Sequence, residues 1–197
     1  MHEIRDAQAF DLPGVYRVCL LADDPGWPGG NARRNPDLVG HVYAGAYVVG
    51  PGTLARVVVD EEGVAGYVLA AIDTAAFELW REAEWWPVLR RQYPIGAGAA
   101  EDRWLIERIH APEKPPHELL GQHPAHLHID LLPRVRGTGV GGRLMRWLLA
   151  ELARRGAPGV HLGVGSDNAN AIAFYEHLGF TTVADDGDTR WMVRALP

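Results

Sequence analysis

Arg134-Val-Arg-Gly-Thr-Gly-Val-Gly-Gly-Arg143 follows an apolar stretch (Leu127, Ile129, Leu131, Leu132) and precedes an amphipathic run from Leu144 to Leu152. Strand, glycine-rich turn and helix in that order make an anion site. The first turn of a helix carries N–H groups with no intrahelical partner, and its dipole adds partial positive charge. Gly137, Gly139, Gly141 and Gly142, with Thr138 and Val140 between them, present backbone without the side chains that would hold a pyrophosphate away. Arg136, with Arg134 or Arg143, adds charge-assisted hydrogen bonds to phosphate oxygens. The loop predicts a phosphorylated cofactor.

Two nucleotide readings of the loop fail on context. Gly137-Thr-Gly139-Val-Gly-Gly142 satisfies GxGxxG, but a dinucleotide fold wants an acid about 20 residues on, at the end of the next strand. Here that strand, Val160 to Val164, runs into Gly165-Ser166, and the nearest acid is Asp167. A phosphate loop of the Walker type needs Gly-Lys-Ser/Thr, and the chain's single lysine is Lys114.

Downstream lies Asn168-Ala-Asn-Ala-Ile-Ala-Phe-Tyr-Glu-His-Leu-Gly-Phe180. Together with Arg136-Gly-Thr-Gly-Val-Gly141, this resembles the GNAT N-acetyltransferase superfamily, at Asn168, Ala171, Ile172, Phe174, Tyr175, Gly179 and Phe180. The resemblance is strong over 125–184 and looser over 1–72. It implies an α/β (α+β) fold, a mixed central sheet flanked by helices, and transfer of acetyl from acetyl-CoA to an amine in a ternary complex. It further implies that backbone of Ile129, Leu131 and Leu132 binds the thioester and pantetheine, with Asn168 and Phe174 beside the cofactor. Tyr175 takes the position whose phenol protonates the departing sulfur; its ordinary pKa of about 10 keeps it an acid at neutral pH. The other reading of Tyr175 is an aromatic packed on a helix face, and Asn168 also suits a helix cap.

A narrower likeness, carried by Asp37-Leu-Val-Gly40, Gly66-Tyr-Val-Leu-Ala70, Ile72-Asp73-Thr74, Trp85-Trp86 and Ile129-Asp130, is to the acetyltransferase-like C-terminal domain of animal O-GlcNAc hydrolases. It implies a free-standing bacterial relative of that domain. Through it Asp130 aligns with an aspartate and is the first choice for general base or acceptor-orienting group, followed by His128 and Asp73. A catalytically silent acetyl-CoA-binding module is the alternative to an enzyme.

With 197 residues, 47% of them apolar and 22% charged, one globular domain over 1–197 is expected. A single cysteine, Cys19, excludes an internal disulfide and suits a cytoplasmic setting. No apolar run spans a membrane, and a formal net charge of −6 gives nucleic acid no support. Eighteen arginines stand against one lysine, a bias of composition rather than a motif.

The periodicity predicts a strand at 2–5, a helix over 11–22 and another over 36–45, and a hairpin from Leu54–Val59 and Val64–Ile72. A strand at 125–132, a helix over 138–155, a strand at 160–164, a helix over 168–178 and strands at 180–184 and 190–194 follow. The loop 23–36 is long enough to suggest function. Side chains alternate along 125–132, so Leu127, Ile129 and Leu131 share one face and His126, His128 and Asp130 the other. Three polar groups on one face of a central strand must line a cleft or pair. His-x-His-x-Asp could hold a metal, but the resemblance needs none. Residues 73–124 form an insertion holding four of the seven tryptophans (Trp80, Trp85, Trp86, Trp104). It is expected to be helical around Phe77 and Trp80 and again around Leu105, Ile106 and Ile109, and to build the acceptor site with Trp85 exposed and an acid such as Asp73 or Glu107. Its alternative roles are to cover apolar sheet only or to form a contact in a homodimer.

Overall fold

A computed structural model of the chain describes residues 2–23 and 35–197. Seven strands, β1 (Glu3–Asp6), β2 (Thr53–Asp60), β3 (Gly63–Ala71), β4 (Ala125–Leu131), β5 (Gly159–Gly165), β6 (Thr181–Asp185) and β7 (Thr189–Ala195), lie in one sheet. Their order is β1-β2-β3-β4-β5-β7-β6. Every neighbouring pair is antiparallel except β4 and β5. This is the mixed α/β arrangement expected from the sequence. β3 is buried along almost its whole length, which is why it reads Val-Ala-Gly-Tyr-Val-Leu-Ala-Ala without polar alternation.

Helices cover both faces. On one side packs α8 (Val140–Arg154), whose Val140, Leu144, Met145, Leu148, Leu149 and Leu152 form a buried stripe at helical spacing. Beside it lies α9 (Ala169–His177), contributing Ile172 and Tyr175 to the same core. On the other side lie α1 (Leu12–Asp23), α2 (Leu38–Tyr43) and α3 (Gly45–Val49). The single helix expected over 36–45 is therefore two, broken at Ala44, where the backbone leaves helical geometry. Gly40 and Gly45 face Tyr16 of α1 so closely that a Cβ at either would fall 2.3–2.4 Å from its ring or hydroxyl. The functional loop expected over 23–36 falls mainly on residues 24–34, outside the described residues.

The insertion joins the same layer as α1–α3. It runs through α4 (Thr74–Trp80), a π-helical turn (Arg81–Trp85), α5 (Trp86–Gln92), α6 (Arg103–His110) and α7 (His117–Leu120). Phe77, Trp86, Leu89, Leu105, Ile106 and Ile109 point into the core. Gly96 and Gly98, both at positive φ, turn the chain between α5 and α6.

β3 and β4 approach unusually closely where Gly66 stands opposite Leu131. A Cβ at Gly66 would sit 2.5 Å from Leu131 Cδ2 and 2.9 Å from the Asp130 carbonyl oxygen. Gly66→Ala is expected to lower stability by about 1–3 kcal/mol, the usual cost of overpacking. Urea denaturation reads this directly, and an unchanged midpoint would show slack between the strands.

Candidate active site

The glycine loop is built as its composition requires. Pro133–Val135 makes one 3-10 turn after β4, and Thr138 Oγ donates to the Val135 carbonyl at 2.7 Å. Gly137 and Gly139 adopt φ of +74° and +76°, a region that side chains oppose, and no protein atom lies within 4 Å of a Cβ built on either. Gly139 is the residue before α8, so the free N–H groups of that helix's first turn open beside it. Gly141 is buried against Leu131 and Phe174, which locks the first turn of α8 to both β4 and α9. Gly142 follows it and abuts Arg146. Among the arginines, Arg134 is committed to Asp60 at 2.7 Å. Arg136 is exposed and donates through Nε to the Leu131 carbonyl at 2.8 Å, and Arg143 is exposed.

The cleft comes from the sheet. β4 and β5 pair only at Ala125↔Val160 and His126↔His161. Beyond that seam β4 stays with β3 as far as Leu131, while β5 stays with β7 as far as Gly165. The backbone edges of Leu127–Leu131 and Leu162–Gly165 therefore diverge. A cavity of about 310 Å³ occupies the vertex on the insertion side. β4 contributes His126, Leu127 and His128 to it; β5 contributes His161 to Gly165; Trp191 and Thr189 of β7 close one flank. Tyr43 and Tyr47 come from α2 and α3, and the insertion supplies Glu78, Arg81, Trp86, Arg108 and Glu113. Arg81 pairs with Glu78 and lies over the rings of Phe77 and Trp86, 5.0 and 4.8 Å from their centroids. Arg108 pairs with Glu113.

The polar face of β4 is held in a hydrogen-bond chain whose direction is fixed at one end. Thr74 Oγ lies 2.6 Å from the Pro124 carbonyl oxygen, which only accepts, so the Thr74 proton points there. Its Oγ must then accept from His126 Nδ1 at 2.7 Å. His126 Nε2 is left to accept from the Tyr47 hydroxyl at 2.6 Å, and the Tyr47 oxygen accepts in turn from His128 Nε2 at 3.1 Å. The neutral His128 ring thus keeps its lone pair on Nδ1. His161, across the seam, has Nδ1 at 2.7 Å from the His123 carbonyl, so its proton is on Nδ1 and its lone pair on Nε2. Burial first, and neighbouring cationic groups second, keep all three rings neutral: His126 is pushed well below the usual imidazole range, His128 down to about 4, and His161 downward, where the His123 carbonyl contact opposes burial and the His123 ring adds to it.

Two residues above His128 on the same face, Asp130 accepts a hydrogen bond from the buried Tyr67 hydroxyl. Tyr175 on α9 is 8% exposed, and among the described residues its hydroxyl has no hydrogen-bond partner. Burial first, and the charge of Asp130 second, push its phenol pKa upward. The Asn168 side chain accepts from Ala171 N at 3.1 Å, capping α9, and Phe174 is half-buried beside Tyr175. Ile129 and Leu131 are half-buried on the α8 side, whereas Leu132 is buried among the residues of the α1 side.

Three expectations about the insertion need correction. Asp73 is exposed and caps α4 by accepting from Ala76 N at 3.0 Å; it does not line the cavity. Trp85 is half-buried, donates through Nε1 to the His41 carbonyl at 3.0 Å, and packs on His41 and Trp80. The π-helical turn places Trp86 on the cavity wall instead. Glu107 is exposed, and the acids at the cavity are Glu78 and Glu113. Sequence reasoning also passed over Tyr47, Tyr67, Arg81 and His161. The alternation that set His126, His128 and Asp130 on one face applies equally to β5 and would have raised His161.

Known proteins share this fold. The profile of the acetyltransferase (GNAT) family matches residues 3–180. The chain belongs to that family, whose members transfer acetyl from acetyl-CoA. The crystal structure of SsHAT superposes with a TM-score of 0.82 at 32% identity, covering 98% of each chain. Protein O-GlcNAcase of Mus musculus is 25% identical over 190 residues, 93% of this chain and 20% of that protein, so the chain spans about a fifth of that relative's length. Mycothiol acetyltransferase of Nocardioides sp. is 50% identical over 58 residues, 29% of this chain and 20% of that enzyme. Among the described residues no helix is long and apolar enough to cross a membrane, and no cluster of metal-ligating side chains occurs.

The lowered imidazoles couple folding to pH. A histidine whose folded pKa lies below its unfolded value stabilises the fold fully above the unfolded pKa, and the contribution is lost as pH falls toward the folded one. For His128 that window runs from 6.5 down to about 4, and the depression is worth about 3 kcal/mol over the whole of it. The melting temperature is expected to fall steadily from pH 6.5 to about 5, above the range of ordinary carboxylates. His128→Gln should flatten that slope, and a wild-type melting temperature constant over the window would contradict the assignment.

Proposed function

We propose that the protein is an N-acetyltransferase that carries acetyl from acetyl-CoA to an amine, a small molecule or a lysine side chain, by direct attack in a ternary complex. The observation that carries this reading is the open β4–β5 cleft, with a helix N-terminus at one end, a cavity of about 310 Å³ at its vertex, and on α9 a phenol whose hydroxyl has no hydrogen-bond partner among the described residues. The pyrophosphate would meet the loop Gly137–Gly142 and Arg136 or Arg143, and the pantetheine the β4 edge at Ile129 and Leu131, where the Leu131 carbonyl already accepts from Arg136 and the Leu132 N–H is spent on the Ala65 carbonyl. Asn168 and Phe174 then hold α9 so that Tyr175 faces the sulfur.

Tyr175 is assigned as the acid that protonates the leaving thiolate. An elevated pKa suits that task, because the group must arrive protonated. Asp130, anchored by Tyr67, is assigned to orient the reacting groups and to keep Tyr175 protonated through its charge. Its location above the cavity suits that role, and Asp130 remains a base candidate for an acceptor that reaches beyond the vertex. The cavity walls carry two ion pairs, Arg81–Glu78 and Arg108–Glu113, and neutral imidazoles, so an amine entering there is encouraged to shed its proton by the same desolvation that lowers the histidines.

Acetyl-CoA at 100 times its dissociation constant should raise stability by about 2.7 kcal/mol, visible in a thermal melt, and Gly139→Leu should abolish the shift. A panel of amines and lysine peptides, followed by thiol release, tests transfer. Tyr175→Phe is expected to cut kcat by about 10²–10⁴-fold while acetyl-CoA still binds, and Asp130→Asn to lower kcat with acetyl-CoA affinity nearly unchanged. Tight binding with no acetylated amine and no effect of Tyr175→Phe would replace the enzyme reading with a non-catalytic acetyl-CoA module.

A further inference from the structure

The cavity at the cleft vertex is lined by three imidazoles, and their hydrogen bonds leave them unequal. His126 has both nitrogens engaged, by Thr74 at 2.7 Å and Tyr47 at 2.6 Å. His128 has a free Nδ1, but its basicity is spent: the ring is held at about 4 by burial and by the charges of Arg81 and His161. His161 differs on both counts. Burial lowers the ring first; its Nδ1–H is braced by the His123 carbonyl at 2.7 Å, a contact that favours the protonated ring and partly offsets burial, while the His123 ring opposes it weakly. Its Nε2 has no hydrogen-bond partner among the described residues. The ring sits at the last paired position of the seam, where β5 begins to leave β4.

The other charged or titratable groups around that ring are accounted for. On β4 they are His126, with ring centroids 5.6 Å away, and His128; before β4 it is His123. From α2 comes Tyr43, its ring 6.4 Å from that of His128, and from α3 Tyr47, whose hydroxyl is committed to the two β4 histidines. From the insertion come Glu78 and Arg81, paired with each other, and Arg108 and Glu113, likewise paired. β7 presents Trp191 and Thr189, which carry no charge. A carboxylate already bound to an arginine is a poor proton acceptor, which leaves His161 Nε2 as the basic atom at the vertex.

We propose that His161 is the group that contacts the acceptor amine and removes its proton, with the His123 carbonyl as the positioning partner that fixes its tautomer. This rests on the acetyltransferase reading above and goes beyond it by naming the base. Nε2 takes one proton from the ammonium. The neutral nitrogen then forms the C–N bond as the C–S bond breaks, and the sulfur leaves with the Tyr175 proton. The second nitrogen proton returns to the Tyr175 oxygen. Amide and CoA thiol leave, and the imidazolium of His161 gives its proton to solvent. A carbonyl-braced imidazole facing a substrate nitrogen is the usual geometry of a histidine base.

Bromoacetyl-CoA tests this without knowledge of the natural acceptor, because it places an alkylating carbon where the acetyl group would lie. Peptide mapping by mass spectrometry is expected to find one adduct, a C–N bond at His161 with bromide released, suppressed by excess CoA. The labelling rate should drop about tenfold per pH unit below the ring's pKa. His161→Asn keeps an amide N–H for the His123 carbonyl and lacks the lone pair. It should give no adduct while retaining the melting shift with CoA. With the amine of the panel that turns over best, the same variant should lose about 10²–10⁴-fold in kcat and the acidic limb of the pH profile. An adduct on His128, Asp130 or Cys19 instead, or none although CoA raises the melting temperature, overturns the proposal. So does a variant within about threefold of wild-type kcat that keeps its acidic limb. If CoA produces neither shift nor protection, the acetyltransferase reading itself falls, and this assignment with it.

Discussion

Two register pairs, Ala125↔Val160 and His126↔His161, are all that join the two halves of the sheet. On one side of that seam β4 is zipped to β3 and on the other β5 is zipped to β7. Strand edges left unpaired are normally a liability, since each carries N–H and C=O groups that water or another chain must satisfy. Here they are confined to the interior of a cleft, where an extended amide-bearing cofactor has the shape and chemistry to complete them. Moving the seam two residues in either direction would shorten the cleft or separate the halves. The position of the glycine loop, of Tyr175 and of the cavity all follow from where that parallel pairing stops.

Burying His126 and His161, and half-burying His128, beside the seam carries a cost that the neighbouring residues offset. Thr74 and Tyr47 receive and pass hydrogen bonds so that each inner nitrogen is satisfied, and the Pro124 carbonyl sets the direction of the whole series. A chain that ends on a carbonyl cannot conduct a proton onward. Its effect is to hold tautomers, leaving lone pairs only where open space adjoins them. Tyr67 and Asp130 form a separate contact higher on β4, closer in its influence to the phenol of α9 than to the imidazoles.

Most of this architecture is readable from the residue pattern, and the unreadable part has physical causes. The glycine loop, the stripe of α8, the alternation on β4 and the Asn168–Phe180 segment are local signals with a fixed period or a fixed φ requirement, so they survive without tertiary information. The insertion offers no such period across its middle. One π-helical turn rotates everything beyond Trp80 relative to a regular helix, which exchanges the environments of Trp85 and Trp86. Asp73, offered as an acid for a cationic acceptor, caps α4 and lies off the cavity wall, a placement that its position just before the helical run could have suggested. His161 was within reach of the sequence, since its face is set by the same alternation as His126. What the sequence lacked was the register that brings those two strands side by side.

The insertion leaves β3 at Ala71 and returns to β4 near His126, and these two residues are direct partners across the sheet. Its ends are further stapled where Thr74 meets Pro124 through both its backbone N–H and its hydroxyl. A segment whose two ends are already held together can lengthen, shorten or be replaced at little entropic cost, since closing a loop depends only logarithmically on its length. The walls that the insertion gives the cavity can therefore diversify, through evolution or by grafting, while the glycine loop, α8 and α9, which lie outside it, are left untouched.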